Sequence, residues 1–262
     1  MTSCPTPQRG HGSTNGSSTT TSNPPDGTPA GPGCALRREQ REAQINTTVT
    51  RGNVHELPQI LLSVITLGAL LWSVFFLMPT GRGKNLEALD ADEAEEVLHW
   101  LHDVSALVAF KTTEAPHFRR VAMQRAGVPE FDDVFRVGPL RSQLRVATAE
   151  FFEGRAPVRR HPLAPLGVNS GRGFAFIDHV GVVYASGFLP VAAGSVRDTL
   201  FLRICREWEL LQALRNSDGF GGRCGRCEFR NICGGSRSHA NAVIGDPFAE
   251  DPRCLHRPAG AA

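Results

Sequence analysis

The cysteines of this chain concentrate near its carboxyl end. Four of the seven lie between Cys224 and Cys254, at the spacing C-x2-C-x5-C-x20-C. A C-x2-C pair places two thiolates on one tight turn, and Gly225 inside that turn lets the backbone bend close to a metal. Four soft thiolates select zinc or an iron–sulfur cluster. The spacing therefore predicts a metal site at Cys224, Cys227, Cys233 and Cys254 and leaves both metals open.

Disulfide-bonded loops or inert buried thiols are the alternatives to a metal site. A secreted domain would need a signal peptide, and the first 34 residues lack its apolar central region. At 262 residues, the chain can also bury a core without covalent cross-links. A four-cysteine metal site is thus the favoured interpretation.

The same stretch carries a resemblance to a known family. The runs CGRCEFRNICGGSR and GDPFAEDPRC resemble the C-terminal SPASM domain of radical S-adenosylmethionine enzymes, most closely the branch that includes haem-biosynthesis enzymes. The resemblance implies that Cys224, Cys227, Cys233 and Cys254 bind one auxiliary [4Fe–4S] cluster, with zinc as the alternative. Such clusters transfer electrons or hold the substrate during radical modification of a peptide or a tetrapyrrole side chain.

Two serines mark a departure from that family. Complete SPASM domains contain further cysteines for a second cluster, whereas Ser236 follows the glycine pair after Cys233 and Ser186 stands where an upstream cysteine would be sought. The resemblance therefore implies one auxiliary cluster. Cys205 lies in an apolar helical pattern, which favours a packed thiol over a ligand.

Composition restricts the remaining classes. The formal net charge is only +2, which gives no electrostatic case for nucleic-acid binding. Residues 1–43 begin with a Ser/Thr/Gly/Pro-rich stretch and are predicted to be a disordered leader. With no targeting signal recognised, the sequence predicts a cytoplasmic protein.

The uncharged run from Gln59 to Met78 has two interpretations. Its length permits a single membrane span. Gly68, however, divides it into a helical pattern and an all-apolar strand, as in a βα unit with a buried parallel strand, so a membrane is not expected. INTTVTRGN and FFLMPTGRG also resemble consecutive strands of the radical enzyme barrel. That likeness implies that Met78 contacts S-adenosylmethionine.

The rest of the chain alternates between helices and strands. A helix is predicted over residues 85–108, a strand over Val108–Thr113, and a further helix after Pro116. Glu114 and His117 follow that strand at the expected ligand face, where they form a candidate acid/base pair. Beyond a linker that ends near residue 165, Phe174–Ile177 and Val182–Ala185 predict a β-hairpin, and one helix leads to Cys224.

The fold class predicted is α/β: a partial radical-SAM (β/α) barrel at 44–165, a small α+β SPASM iron–sulfur domain at 166–258, and a tail at 259–262. The family also needs a C-x3-C-x2-C motif for the cluster that reduces S-adenosylmethionine, and these 262 residues contain none. S-adenosylmethionine is thus a doubtful cofactor for this chain, and we expect it not to cleave that molecule alone. A second chain that completes the barrel is the predicted partner.

Overall fold

A computed structural model describes residues 43–126, 138–153 and 169–258 of the chain. The described residues form a mixed α/β structure with two small sheets, as the predicted fold class requires at this coarse level. The predicted leader, linker and tail lie wholly or largely outside these residues. The boundary near residue 165 stays a prediction.

The first sheet consists of three parallel strands in chain order, β1 (Gln44–Val49), β2 (Leu71–Phe76) and β3 (Phe110–Thr113). The predicted strand character of β1 is confirmed, since its β-branched residues alternate between buried and exposed positions. β2 is the apolar run after Gly68. Its residues are buried or half-buried along the whole strand, which is typical of a central parallel strand.

Helices cover one face of this sheet. They are α1 (Leu57–Thr66), α2 (Ala91–Asp103), α3 (His117–Ala126) and α4 (Pro139–Phe152). α4 packs against α1 and α2, and the indole nitrogen of Trp100 donates a hydrogen bond to Thr148 across that contact at 3.0 Å. Trp72 and Trp100 meet edge to face in the core between sheet and helices.

The uncharged run from Gln59 to Met78 is divided between α1 and β2, as the βα interpretation predicts. Gly68 separates them with a φ of 66°, a conformation that a glycine adopts without strain. Among the described residues, none of the helices has the length and apolar character that a membrane crossing requires.

The second sheet is antiparallel and consists of β4 (Phe176–Ile177), β5 (Val182–Ser186) and β6 (Leu189–Ser195). Four short helices follow: α5 (Phe201–Glu207), α6 (Glu209–Arg215), α7 (Gly222–Arg226) and α8 (Arg237–Ile244). The predicted hairpin is confirmed. β6 was missed because LPVAAGS contains few of the residue types that favour strands.

Two helix predictions have wrong boundaries. The helix expected over residues 85–108 begins at Ala91, where Asp90 and Glu93 form a reciprocal capping box, and ends at Asp103. The single helix expected before Cys224 is two, because Trp208 has an extended backbone between α5 and α6.

Candidate metal centre

The four predicted metal ligands line one cavity. Cys224, Cys227, Cys233 and Cys254 surround it, and all four are free thiols. Cys224 lies in α7 and Cys227 directly after it, so the C-x2-C turn projects both side chains to the same side. We call this space the cysteine cavity. Its other lining residues are Arg120 from α3 and residues between Arg223 and Pro258.

The distances between the thiol sulfurs bear on which metal the cavity could hold. Four thiolates bound to one zinc ion at 2.3 Å would lie roughly 3.8 Å apart. Among the described residues, no three cysteine sulfurs lie within 4.8 Å of one another. The group of three donor atoms that does meet this distance belongs to Cys227, Glu228 and His256. A cubane cluster holds its thiolates farther apart, because each thiolate binds a different iron. Which of the two metals binds at these thiols stays a prediction.

Backbone amides already point at the sulfur atoms. The amides of Phe229, Gly235 and Asp251 each donate to a cysteine Sγ at 3.4 Å, and the acceptors are Cys227, Cys233 and Cys224 respectively. Hydrogen bonds to cluster sulfurs are one of the means by which a protein sets the reduction potential. The donor set therefore suits bound, negatively charged thiolates.

Two glycines make this close approach possible. A Cβ on Gly235 would lie 3.0 Å from the Sγ of Cys224, and the residue has a φ of 65°. A Cβ on Gly225 would lie within the backbone of Phe220, at an impossible distance from its carbonyl oxygen. Both positions require glycine, so the expectation that Gly225 lets the turn tighten agrees with the structure.

Burial affects the ionisation of the thiols. It raises the pKa of Cys254 to about 11 and also raises the pKa of Cys233 and of Cys227. The guanidinium of Arg120 acts in the opposite direction on all three thiols. Metal binding at this site must therefore displace thiol protons, as it does wherever thiolates are the ligands.

Arg237 supports the cavity from behind. Its side chain is buried, with one amino group 3.4 Å from the Sγ of Cys224 and the other donating to the carbonyls of Pro247 and Ala249. The guanidinium also lies 4.4 Å from the centre of the Phe220 ring. A lysine could not make these contacts together, because they use the planar fork of an arginine.

Asp251 connects the cysteine stretch to α3. Its buried carboxylate accepts hydrogen bonds from the amides of Ser236 and Arg253, and it lies 2.7 Å from Nδ1 of His239. The Nε2 atom of His117 is 3.1 Å away, an ion-pair distance without hydrogen-bond geometry. Burial alone would raise the pKa of Asp251, but the two imidazoles hold it well below its usual range.

Arg253 joins the same stretch to the carboxyl ends of β2 and β3. Its guanidinium donates to the carbonyls of Leu77 and Glu114 and lies 3.9 Å from the sulfur of Met78. Met78 is buried just beyond β2, at the edge where ligand sites of α/β sheets occur. Contact between Met78 and S-adenosylmethionine stays a prediction.

Glu114 accepts hydrogen bonds from three serine hydroxyls. These belong to Ser186 at 3.0 Å, Ser236 at 2.6 Å and Ser238 at 3.1 Å. Two of them occupy the positions at which further cysteines were sought. Glu114 has a φ of 58°, a left-handed conformation that is costly for a residue with a side chain and persists only where the surroundings enforce it. The proposed pairing of Glu114 with His117 is not what the contacts favour, since Asp251 engages His117.

A second cavity, of about 910 Å³, opens where the parallel sheet meets the hairpin. We call it the phenylalanine cavity, since five phenylalanines line it: Phe75, Phe118, Phe174, Phe176 and Phe188. Its charged lining residues are Lys111, Glu114 and Arg119. Ligand sites commonly combine such apolar walls with few polar groups, at volumes of roughly 300–1,000 Å³.

Sequence reasoning missed most residues around the two cavities. The arginines in CGGSR and DPRC stand beside the cysteines in the motif itself, so Arg237 and Arg253 could have been suspected. Lys111 carried one signal that was not used: it is one of only two lysines in a chain with 28 basic residues. The phenylalanines carried none, because each fits the local pattern of a core residue.

Comparison with known proteins gives several relatives. The chain is 36% identical over 230 residues to an AdoMet-dependent heme synthase of Oleidesulfovibrio alaskensis, covering 85% of this chain and 53% of that protein. It is 32% identical over 225 residues to the AdoMet-dependent heme synthase of Methanosarcina barkeri, covering 85% and 58%. A pre-heme d1 synthase of Dinoroseobacter shibae is 27% identical over 225 residues, covering 84% and 53%. No protein-family model matches the chain.

These relatives support the resemblance to the haem-biosynthesis branch of radical S-adenosylmethionine enzymes. The chain spans about half the length of the curated relatives that it matches.

Proposed function

We propose that this chain binds one auxiliary [4Fe–4S] cluster through Cys224, Cys227, Cys233 and Cys254, in a SPASM-type domain that follows part of a radical-SAM barrel. The convergence of four free thiols on one cavity, spaced more widely than a single ion requires, carries this proposal. When bound, such a cluster exchanges single electrons with its surroundings.

The charges around the cavity support an anionic cluster. Arg120, Arg223 and Arg230 line it, and Arg223 and Arg230 also donate to the carbonyls of Cys254 and Cys227. These guanidinium groups offset the negative charge of four thiolates and fix the backbone next to two ligands. The amides directed at sulfur atoms add further partial positive charge.

We further propose that the whole protein acts on a tetrapyrrole, as the names of its relatives suggest for them, and that the phenylalanine cavity holds this substrate. The aromatic walls suit a flat apolar ring, and a volume of about 910 Å³ leaves room for one. A peptide is the other substrate class of the family, and the five phenylalanines favour a flat ring over it. Following the family resemblance, we also propose that these 262 residues do not cleave S-adenosylmethionine by themselves and that a second chain is their partner.

Metal analysis of the anaerobically purified chain tests the cluster. We expect a brown protein with about four irons and four sulfides per chain. Substituting any one of the four cysteines with alanine should lower both values, whereas Cys205→Ala should not, because Cys205 lies in α5 away from the lining residues. Iron content that is equal in all five variants would contradict the ligand assignment.

A zinc site is the second candidate, and one observation favours it. The sulfur of Cys227, a carboxylate oxygen of Glu228 and an imidazole nitrogen of His256 lie within 4.8 Å of one another, and these are all ligand types that zinc accepts. If the purified protein is colourless and contains one zinc per chain, and if His256→Ala lowers the zinc content, then the site is a structural zinc site and not a cluster site.

A further inference from the structure

The strand register places Lys111 on the face of the parallel sheet opposite its helices. Trp72, Val74 and Phe110 belong to the core that packs under the helices, and successive residues of a strand point to opposite faces. Lys111 follows Phe110 and therefore belongs to the other face of the sheet. Lys111 pairs with Ser73 in the neighbouring strand, and Phe75, two residues after Ser73, lies on that same face. Both Phe75 and Lys111 line the phenylalanine cavity.

The other two charged residues of the cavity are already engaged. Glu114 accepts from three serine hydroxyls, and Arg119 donates to the carbonyl of Ile232 at 3.0 Å. Within the part of the chain that the structure describes, Lys111 has neither a hydrogen-bond partner nor an ion-pair partner. Its side chain is nonetheless only partly exposed.

An ammonium group beside aromatic walls is poorly solvated and gains from an anionic partner. The lining carboxylate, Glu114, accepts its side-chain hydrogen bonds from serine hydroxyls, and among the described residues it forms no ion pair with Lys111. We propose that Lys111 binds a carboxylate of the ligand in the phenylalanine cavity, while the phenylalanines contact the flat apolar body of that ligand. This inference rests on the proposed function, in which the cavity holds a tetrapyrrole.

Paired porphyrin probes test the contact in the full chain. Coproporphyrin III carries four carboxylates, and its tetramethyl ester has the same ring without them. Their dissociation constants would be measured by quenching of porphyrin fluorescence for wild type, Lys111→Met, Lys111→Arg and Lys84→Met. Lys84 is the matched control, since it is the other lysine of the chain and is exposed outside the cavity lining.

We expect Lys111→Met to weaken binding of the tetracarboxylate about tenfold, the loss of one charge-assisted contact. Binding of the ester should change less than about twofold, because that probe offers Lys111 no charge. Lys111→Arg should restore most of the affinity, and Lys84→Met should match wild type. Unchanged circular dichroism and thermal midpoints in all variants would show that the fold is retained.

Two outcomes would overturn the inference and separate its failure from that of the proposed function. If wild type binds both porphyrins and Lys111→Met weakens both equally or neither, the cavity holds the ring but Lys111 does not bind its carboxylate. If wild type binds neither porphyrin, the tetrapyrrole assignment of the cavity fails and the role of Lys111 fails with it.

Discussion

The cysteine cavity and the phenylalanine cavity are built in opposite ways. Apart from Arg120, every lining residue of the cysteine cavity lies between Arg223 and Pro258. The phenylalanine cavity takes residues from the end of β2, from β3 and α3, from residues 169–188, and from Ile232. One cavity is a property of a short stretch, whereas the other exists only when four distant segments are in place.

The difference explains why the two cavities offer different chemistry. A short stretch with fixed spacing can hold several soft ligands close together, because few backbone angles separate them. Distant segments can instead enclose a volume that no single stretch could line. Each charged group in such a volume must find its own ion-pair partner. Arg120 in the first cavity is paired with Glu95, whereas Lys111 in the second has no such partner among the described residues.

The largest effect should come from Asp251, which tests whether the cysteine cavity is truly local. Asp251→Ala removes the buried carboxylate that faces His117 and His239 and accepts from Ser236 and Arg253. Breaking a buried charged network by removing one partner costs about 3–5 kcal/mol. We expect a loss of that size in the free energy of unfolding, measured with urea, together with lower iron content after reconstitution.

The control for Asp251 is Asp218→Ala, because Asp218 is largely exposed and pairs with Arg230 at the surface. Surface pairs contribute little, so this variant should unfold close to wild type. If the two variants unfold at the same urea concentration, the link from the cysteine stretch to α3 is not needed, and the cavity is more local than the contacts indicate.

The same contrast decides what the sequence could predict. Three features could be predicted from the sequence, because each depends on the spacing of near neighbours. They are the grouping of the four cysteines, the division of the uncharged run at Gly68 and the hairpin. Asp251 and Glu114 were not assigned their partners, which lie 72 to 139 residues away in the contacts of Glu114 alone. Lys111 was not assigned to a cavity. Nothing in a strand pattern distinguishes a phenylalanine that lines a cavity from one that fills a core.

The helix start at Ala91 shows a further limit of the same kind. Leu86 and Leu89 continue the apolar spacing of α2 towards its amino end, so the pattern alone extended the helix to residue 85. The capping box of Asp90 and Glu93 instead makes the helix begin at Ala91. Arg51, in the turn after β1, forms ion pairs with both carboxylates. A local signal was present, but the hydrophobic pattern outweighed it in the prediction.

A smaller effect should appear on acidification, and it belongs to the cysteine cavity. Burial alone would raise the pKa of Glu95, but hydrogen bonds from His99 and Arg120 lower it to about 2. Glu95 therefore stabilises the fold above its ordinary pKa of about 4.5, and that stabilisation is lost as the pH falls towards about 2. The contribution at neutral pH is on the order of 3 kcal/mol.

Glu95→Gln isolates this contribution from that of other carboxylates. The difference in free energy of unfolding between wild type and Glu95→Gln should be largest near about pH 6 and should shrink as the pH falls towards about 2, where Glu95 is about half protonated. A difference that is the same at both ends of this range would show that the charge of Glu95 is not what stabilises Arg120 beside the cysteines.

The smallest effect tests whether Glu114 joins the two cavities. Glu114 lines the phenylalanine cavity, yet two of its three hydroxyl donors, Ser236 and Ser238, follow Cys233 in the cysteine stretch. Glu114→Gln keeps the size of the side chain and removes the charge that these hydroxyls solvate. We expect a loss of about 1.5 kcal/mol in the free energy of unfolding, at the low end of what hydrogen bonds to charged groups contribute, because the amide oxygen of glutamine still accepts a hydrogen bond.

The readouts for Glu114→Gln must include both cavities, because either one alone could respond to a local disturbance. If Glu114 couples them, iron retention and the affinity for coproporphyrin III should fall together, whereas Ser186→Ala, which removes the hydroxyl donor from the hairpin, should mainly lower the affinity for the porphyrin.

The backbone of Glu114 is tested by comparing Glu114→Gly with Glu114→Ala. Both variants lose the carboxylate, but glycine accepts a φ of 58° without strain. Glycine should therefore be the more stable of the two by about 1 kcal/mol, and equal stability would mean that the left-handed conformation at this position is not enforced by the fold.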